Sequence, residues 1–281
     1  LVMPSHPINL VAIQLVSSPH VDDNFVQVIE QIEHAQENWD SALPTLIVLP
    51  ECFAFFGGKN KEALGLLSDA KQQLLHDKLS DIAKTYHIWL VAGSIPTPSP
   101  DPNKMFATAW CFDPSGELVA QYNKTHLFDV SITDNTGTYK ESATTMPGSD
   151  VVVLNTEFGR VGICICYDIR FSTLFNAMVK ENAIDYLVVP AAFTYQTGQA
   201  HWHHLLAARA IEYQCYVIAA NQGGSHCNGR HTYGHSAIYS PWGDVLDMIE
   251  NGAGFVIAKS DPNRHHEIKH ALNVQQHRQY F

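Results

Sequence analysis

The amino-acid sequence predicts an α/β fold, a four-layer α-β-β-α sandwich of two internally repeated halves, and three observations lead to it. Short apolar runs rich in β-branched residues alternate with stretches of helical periodicity, the mark of α/β chains. The order strand, helix, strand, helix, strand, hairpin runs through the chain twice. The runs are apolar at successive positions rather than at alternate ones, so their strands need cover on both faces. Two sheets packed face to face, each backed by helices, supply that cover.

In the first half, residues 8–16 (INLVAIQLV) form a buried strand. Residues 22–38 follow with Phe25, Val28, Ile29, Ile32 and Ala35 at helical spacing, and Asp22 or Asp23 is placed to cap the start. Residues 44–51 (PTLIVLPE) are a second buried strand, 69–86 a second helix and 88–96 (IWLVAGSIP) a third strand. FATAWCF and ELVAQY then make a hairpin about DPSG, whose proline and glycine suit a turn. In the second half, 159–168 (GRVGICICYD) reads as a strand, 172–182 as a helix, 184–193 (IDYLVVPAAF) as a strand, 201–214 as a helix and 216–224 as a strand. A second hairpin, HSAIY and DVLDMI about SPWG, answers the first. No long linker separates the halves. Residues 1–281 are expected to form a single domain, with its core over 8–260 and a C-terminal tail over 261–281 whose NVQQHRQYF would dock on a partner subunit. Residues 125–150 form a long polar stretch without periodicity, and such a loop inside a compact domain is often functional.

The charge balance excludes one class of partner. Lys and Arg number 17 against 28 Asp and Glu, a formal net charge of −11, so no basic excess exists to displace counterions from a nucleic acid. No run of 18 apolar residues occurs, so no membrane-spanning helix is expected. The first residues lack the pattern of a secretion signal, and a cytoplasmic protein is expected. Met3 is read as the native start, with Leu1-Val2 an addition ahead of it. The six cysteines, at 52, 111, 164, 166, 215 and 227, lie mostly in apolar runs, where a free thiol packs as a small hydrophobe. A chain this long needs no disulfide framework, and reduced thiols are expected.

Three residues carry chemistry. Glu51 ends the apolar run LIVLPE, where a carboxylate is costly without a task or a partner; the alternative is a solvated loop glutamate. Lys124, in QYNKTHLF, closes the first hairpin and is unremarkable by itself. Cys166 ends a buried strand just ahead of Tyr167-Asp168-Ile169-Arg170, and ligands and nucleophiles collect at strand ends in α/β folds. By alternation Cys164 and Cys166 share a face of that strand. A disulfide across that spacing is sterically poor, and no second ligand pair accompanies them for a metal. His201 and His204 also lack a carboxylate or cysteine partner at a metal-ligand spacing, and no metal or cofactor is expected.

Together LPE at Glu51, NKTHLFD at Lys124 and CYDIRF at Cys166 resemble the three motifs of the nitrilase superfamily of carbon–nitrogen hydrolases, in that family's order. The similarity extends through YKES at Glu141, PAAF at 190–193, GQAHW at 198–202, ARAIEYQCYV at 208–217, YGHS at 233–236 and SPWG at 240–243, down to the QHR near residue 277. Within the superfamily the chain is most similar to the Nit-type amidases of deaminated glutathione, on KTHLFDV, AHWHHLLAARAIEYQCYVIAANQGG and ALNVQQHR. It departs where the family continues CYD-x-RF with Pro-Glu: Ser172-Thr173 stand there, at the start of the next helix.

The resemblance implies that Cys166 is the nucleophile, Glu51 the general base and Lys124 a cation beside the reacting carbon. It also implies that Glu141 supports Lys124 and that subunits associate, giving a homodimer or a higher homo-oligomer. A nearby ammonium lowers a thiol pKa, and a carboxylate within reach takes the thiol proton during attack. The backbone N–H of Tyr167 and the Lys124 ammonium are candidate oxyanion donors. Arg170 is expected either to bind a substrate carboxylate or to pair with Asp168, which fixes its own loop. Phe193 and Thr194 are candidate pocket walls, and Arg209 and Glu212 are spaced to pair on the helix surface. The implied substrate is a small-molecule amide, deaminated glutathione, cleaved to 2-oxoglutarate and cysteinylglycine. Two rivals stand beside it: an ω-amidase of dicarboxylic monoamides such as 2-oxoglutaramate, and a catalytically silent ligand-binding scaffold.

Overall fold

A computed structural model of the chain describes residues 6–131 and 138–280. The expected native start at Met3 and the Leu1-Val2 pair lie outside the described residues, as do Phe281 and part of the long stretch 125–150. The first half contains β1 (Asn9–Gln14), α1 (Val21–Gln36), β2 (Thr45–Val48), α2 (Asn60–Gly65), α3 (Asp69–Tyr86), β3 (Trp89–Pro98), β4 (Met105–Phe112) and β5 (Leu118–Asn123). A short ribbon follows, β6 (Asp129–Ser131) with β7 (Thr138–Lys140). The second half contains β8 (Val153–Thr156), β9 (Gly159–Ile163), α4 (Ser172–Met178), β10 (Tyr186–Ala191), α5 (Tyr195–Tyr213), β11 (Tyr216–Asn221), β12 (Ala237–Tyr239) and β13 (Val245–Met248). The chain closes with β14 (Gly254–Lys259), α6 (Pro262–Ala271) and α7 (Val274–His277).

The repeat seen in the order of elements is also a repeat of strand pairing. One sheet runs β14-β1-β2-β3-β4-β5 and the other β13-β12-β11-β10-β9-β8. In each, three consecutive strands are parallel, β1-β2-β3 and β9-β10-β11, and all flanking pairs are antiparallel. The antiparallel edge beside β9 is the preceding strand β8, whereas the one beside β1 is β14, from the far end of the chain. The sequence reading missed both edge strands. β14 has one buried position, Val256, among partly exposed ones, and β8 is short and half-buried.

Side-chain alternation sorts the layers. On β1, Leu10 and Ala12 face the second sheet, while Val11 and Ile13 face α1 and α3 with Phe25, Val28, Leu75 and Leu79. On the far side, Leu174 and Phe175 of α4 and Trp202, Leu206 and Ala210 of α5 cover the second sheet. The architecture is thus the α-β-β-α sandwich that the two-faced strands demanded. Each fully buried Leu or Ile in these layers contributes about 1.5–3 kcal/mol.

The element ends differ from expectation in four places. The strand expected over 159–168 stops at Ile163. The helix expected over 172–182 stops at Met178, and its Ser172 start forms without the Pro-Glu of the resemblance. The helix expected over 201–214 begins at Tyr195, because the Thr194 side chain caps it by accepting from Thr197 N–H. Neither Asp22 nor Asp23 caps α1; His20 holds that position, and both aspartates lie in the first turn, where they still complement the helix dipole. The expected tail is ordered and docks on its own chain: Ile268 is buried, Arg278 donates to Glu212 O at 2.7 Å and Tyr280 OH to Val179 O at 3.2 Å.

Candidate active site

Glu51, Lys124 and Cys166 come from three separate strand ends, and each is fixed by backbone bonds. Glu51 follows β2. Beside it β3 passes so close that a Cβ on Gly93 would lie 1.8 Å from Pro50 O, so only glycine fits there. Gln222, just past β11, donates to Glu51 O at 3.1 Å and to Ser17 Oγ at 2.8 Å, and its Oε1 accepts from Ser17 N–H. This amide ties the acid's backbone to both halves of the fold. Lys124 continues β5: its N–H donates to Ala107 O at 2.9 Å, and its carbonyl accepts from Gly148 N–H at 2.8 Å.

Cys166 sits where the chain turns out of the strand into a short 3-10 turn, Cys166–Arg170, with φ +51°. A non-glycine residue in that region is strained and needs support from its surroundings. Asp168 supplies it. Fully buried, its carboxylate accepts from Ile165 N–H at 2.9 Å, Tyr122 OH at 2.7 Å and His126 N–H at 2.9 Å, and His126 Nδ1 lies 2.7 Å away. Tyr122 and His126 flank Lys124, so one aspartate locks the cysteine turn to the lysine strand. Arg209 adds a second clamp, with Nε and Nη2 both donating to Ile169 O at 3.1 and 3.0 Å. Asp168→Ala would leave these buried donors without an acceptor. A loss of about 3–5 kcal/mol in unfolding free energy is expected, measured by denaturant titration; a loss under about 1 kcal/mol would refute the clamp.

The three side chains meet in the interior. Lys124 Nζ lies 2.7 Å from Glu51 Oε1 and 3.0 and 2.9 Å from the two oxygens of Glu141, which also accepts from Phe128 N–H at 2.6 Å. Lys124, Glu51 and Cys166 are all buried, and Glu141 is partly so. Cys166 lies among the same groups: the Glu51 and Lys124 charges and the Ala192 backbone N–H all act on its thiol. Burial opposes a charge on Lys124, but the carboxylates of Glu141 and Glu51 outweigh it and hold the ammonium well above the usual lysine pKa. Burial raises Glu141, with the Lys124 charge opposing. Burial is also the largest influence on Cys166; Glu51 adds to it, Lys124 opposes, and the thiol is raised well above its ordinary value. Lys124 lowers this thiol as expected from the sequence, but burial and the Glu51 charge outweigh it.

These groups line a cavity of about 410 Å³, with Phe128, Tyr167, Phe193 and Thr194 in its wall. Arg170 is not in that wall and does not pair with Asp168. Its guanidinium lies 5.4 Å from the Phe193 ring centroid, with Nη2 3.2 Å from His201 Nδ1. Cys164 is fully buried beside Val188 O, but the strand ends before it, so the shared-face argument fails; of the two cysteines only Cys166 lines the cavity. Arg209 pairs with Glu212 at 2.6 Å as expected, yet it is buried rather than on the surface. The sequence reading missed Gln222, Tyr122 and His126 as supports; their only local signal is polarity beside the motifs. No helix among the described residues is long and apolar enough to cross a membrane.

Known proteins share this arrangement along the chain. The family model described as carbon-nitrogen hydrolase matches residues 10–270. A deaminated glutathione amidase from Synechocystis sp. strain PCC 6803 is 38% identical over 95% of this chain and 96% of its own. The Caenorhabditis elegans NitFhit protein superposes with a TM-score of 0.87 at 33% identity, over 98% of this chain and 66% of that longer one. Saccharomyces cerevisiae Nit3, described as a member of branch 10 of the nitrilase superfamily, gives 0.83 at 28% identity over 95% of each chain. A match that spans both sheets and every strand end of the site leaves one assignment: the chain belongs to the carbon–nitrogen hydrolases of the nitrilase superfamily.

Proposed function

We propose that the protein is an amidase that cleaves deaminated glutathione into 2-oxoglutarate and cysteinylglycine, with Cys166 as nucleophile, Glu51 as base and Lys124 as electrostatic support. The observation that carries the reading is the buried Lys124 ammonium held between Glu51 and Glu141 in a cavity that Cys166 also lines. The Synechocystis relative supports the substrate, and so does a cavity large enough for more than a five-carbon monoamide.

The raised thiol supports one order of events. Cys166 is protonated at rest, so attack needs Glu51 to take the proton as the S–C bond forms. The oxyanion develops near the Lys124 ammonium and the Tyr167 N–H. Glu51 then returns the proton to the departing amine nitrogen as the C–N bond breaks, leaving a thioester on Cys166. Water, losing a proton to Glu51, adds to the thioester; the acid leaves, and the proton goes back to the sulfur. Glu141 keeps Lys124 charged and in place throughout.

The working ionic form has Glu51 charged, Cys166 neutral and Lys124 charged. Raising the pH leaves that form intact past the ordinary thiol value of 9.0, since both proton-bearing groups are shifted upward. Lowering it protonates Glu141, whose carboxyl is raised above the usual value of 4.5. The expected profile of kcat/KM is thus an acid limb alone, level from neutral to about pH 9. A rise with pH through 8–9 would instead report a free thiolate and refute this order. The substrate is tested by amine release from deaminated glutathione against 2-oxoglutaramate. Faster turnover of the monoamide would favour the ω-amidase reading, and no turnover of either would favour the silent scaffold.

A further inference from the structure

Away from Cys166, the cavity wall is cationic in a chain whose formal net charge is −11. The carboxylates among its described lining residues are Glu51 and Glu141, and Lys124 is bonded to both. Lys59, Lys140 and Arg230 line it as well. Lys140 stands near Asp129, which offsets its charge. Arg230 is in a different position. Its guanidinium lies 5.0 Å from the Tyr139 ring centroid, half-buried, and no carboxylate among the described residues pairs with it. Its loop is pinned: His226 N–H donates to Arg230 O at 2.8 Å, Arg230 N–H donates to Asn228 Oδ1 at 3.2 Å, and Thr232 forms a strand bridge with Thr194 of the cavity wall. Stacking on an aromatic ring orients a guanidinium while using none of its five N–H donors, and that fork matches a carboxylate.

We propose that Arg230, with Lys59 as a second cation of the cavity wall, is the subsite that binds a carboxylate of the substrate. The inference rests on the amidase reading above and deepens it, because it makes anionic amides the substrate class. Deaminated glutathione carries one carboxylate on the acyl side of the scissile bond and one on the leaving glycine. Arg170, which the sequence offered for this task, stands outside the wall.

The test compares wild type, Arg230→Gln and Arg230→Lys on three amides: deaminated glutathione, its glycinamide analogue and the uncharged acetyl-cysteinylglycinamide. For Arg230→Gln, the preference in kcat/KM for deaminated glutathione over the uncharged amide should fall about 10- to 100-fold, carried by KM, with partial recovery in Arg230→Lys. If the loss disappears with the glycinamide analogue, the contact is to the glycine carboxylate; if it persists, the contact is to the acyl-side carboxylate. An equal fall on all three amides would mean a structural role and overturn the proposal, as would no change in preference. Wild-type inactivity on deaminated glutathione, with an Arg230-dependent preference for another carboxylated amide, would sink the substrate reading and leave the subsite standing.

Discussion

Cys166→Ala is expected to abolish turnover, with kcat down about 10⁴-fold or more, while the protein stays folded. In the proposed mechanism the thiol carries the acyl group, and no neighbouring group replaces it, because Glu51 and Glu141 are held by Lys124 and Cys52 is a poor substitute. Cys52 is the competitor that needs excluding, since it also lines the cavity and follows Glu51 directly. Its thiol is pushed up to about 12 by burial first and then by Glu51, with Lys124 and a weak bond from Ser94 opposing. What separates the two is the proton path. The Cys166 thiol feels the Glu51 carboxylate, the proposed base, and the Lys124 ammonium, whereas the Cys52 sulfur has the Ser94 hydroxyl at 3.9 Å. Intact-mass analysis after mixing with a slowly hydrolysed amide should show one acyl group on wild type and on Cys52→Ala, and none on Cys166→Ala. An adduct on Cys166→Ala that vanishes in the double variant would move the nucleophile to Cys52.

The motif residues were legible because each is a polar group at the end of an apolar run, where burial makes polarity expensive. Glu51 after LIVLP and Cys166 after GICI are of that kind, and the structure brings both to Lys124. The layering was legible for the same reason, since continuous apolar runs demand cover on both faces. What stayed hidden depends on partners distant in sequence. β14 is a strand only because β1 offers it an edge, and Gln222 matters only because Glu51 O and Ser17 arrive beside it. The net direction of the thiol pKa was not legible, because sequence shows that a lysine is near but not the burial and the Glu51 charge that outweigh it. Arg230 lies in a glycine- and asparagine-rich loop, where an arginine reads as solvated surface until Tyr139 is placed beneath it.

Lys124→Ala should be both inactive and markedly less stable, and the stability loss should depend on pH. In the wild type the ammonium separates Glu51 from Glu141 inside the protein, at 2.7 Å from one and 2.9 Å from the other. Removing one partner of a buried ion pair leaves an uncompensated charge, which costs about 3–5 kcal/mol. Here two charges are left facing each other. The site responds by keeping one carboxyl protonated, so the pair's upper pKa rises above the unfolded carboxylate value. An acid whose folded pKa is raised gives a folded state that binds the extra proton below that pKa, and the unfolded chain has already lost it. Stability therefore falls as the pH rises through the raised pKa, and recovers as the pH is lowered toward it. Denaturant titration at pH 8 should show the full deficit against wild type, and at about pH 5.5 a smaller one. Adding Glu141→Gln removes one of the two charges. The double variant should regain part of the loss at pH 8 while staying inactive, because the cation at the reacting carbon is still missing. A deficit that is flat with pH, or a double variant no more stable than the single one, would show that Lys124 contributes packing rather than charge.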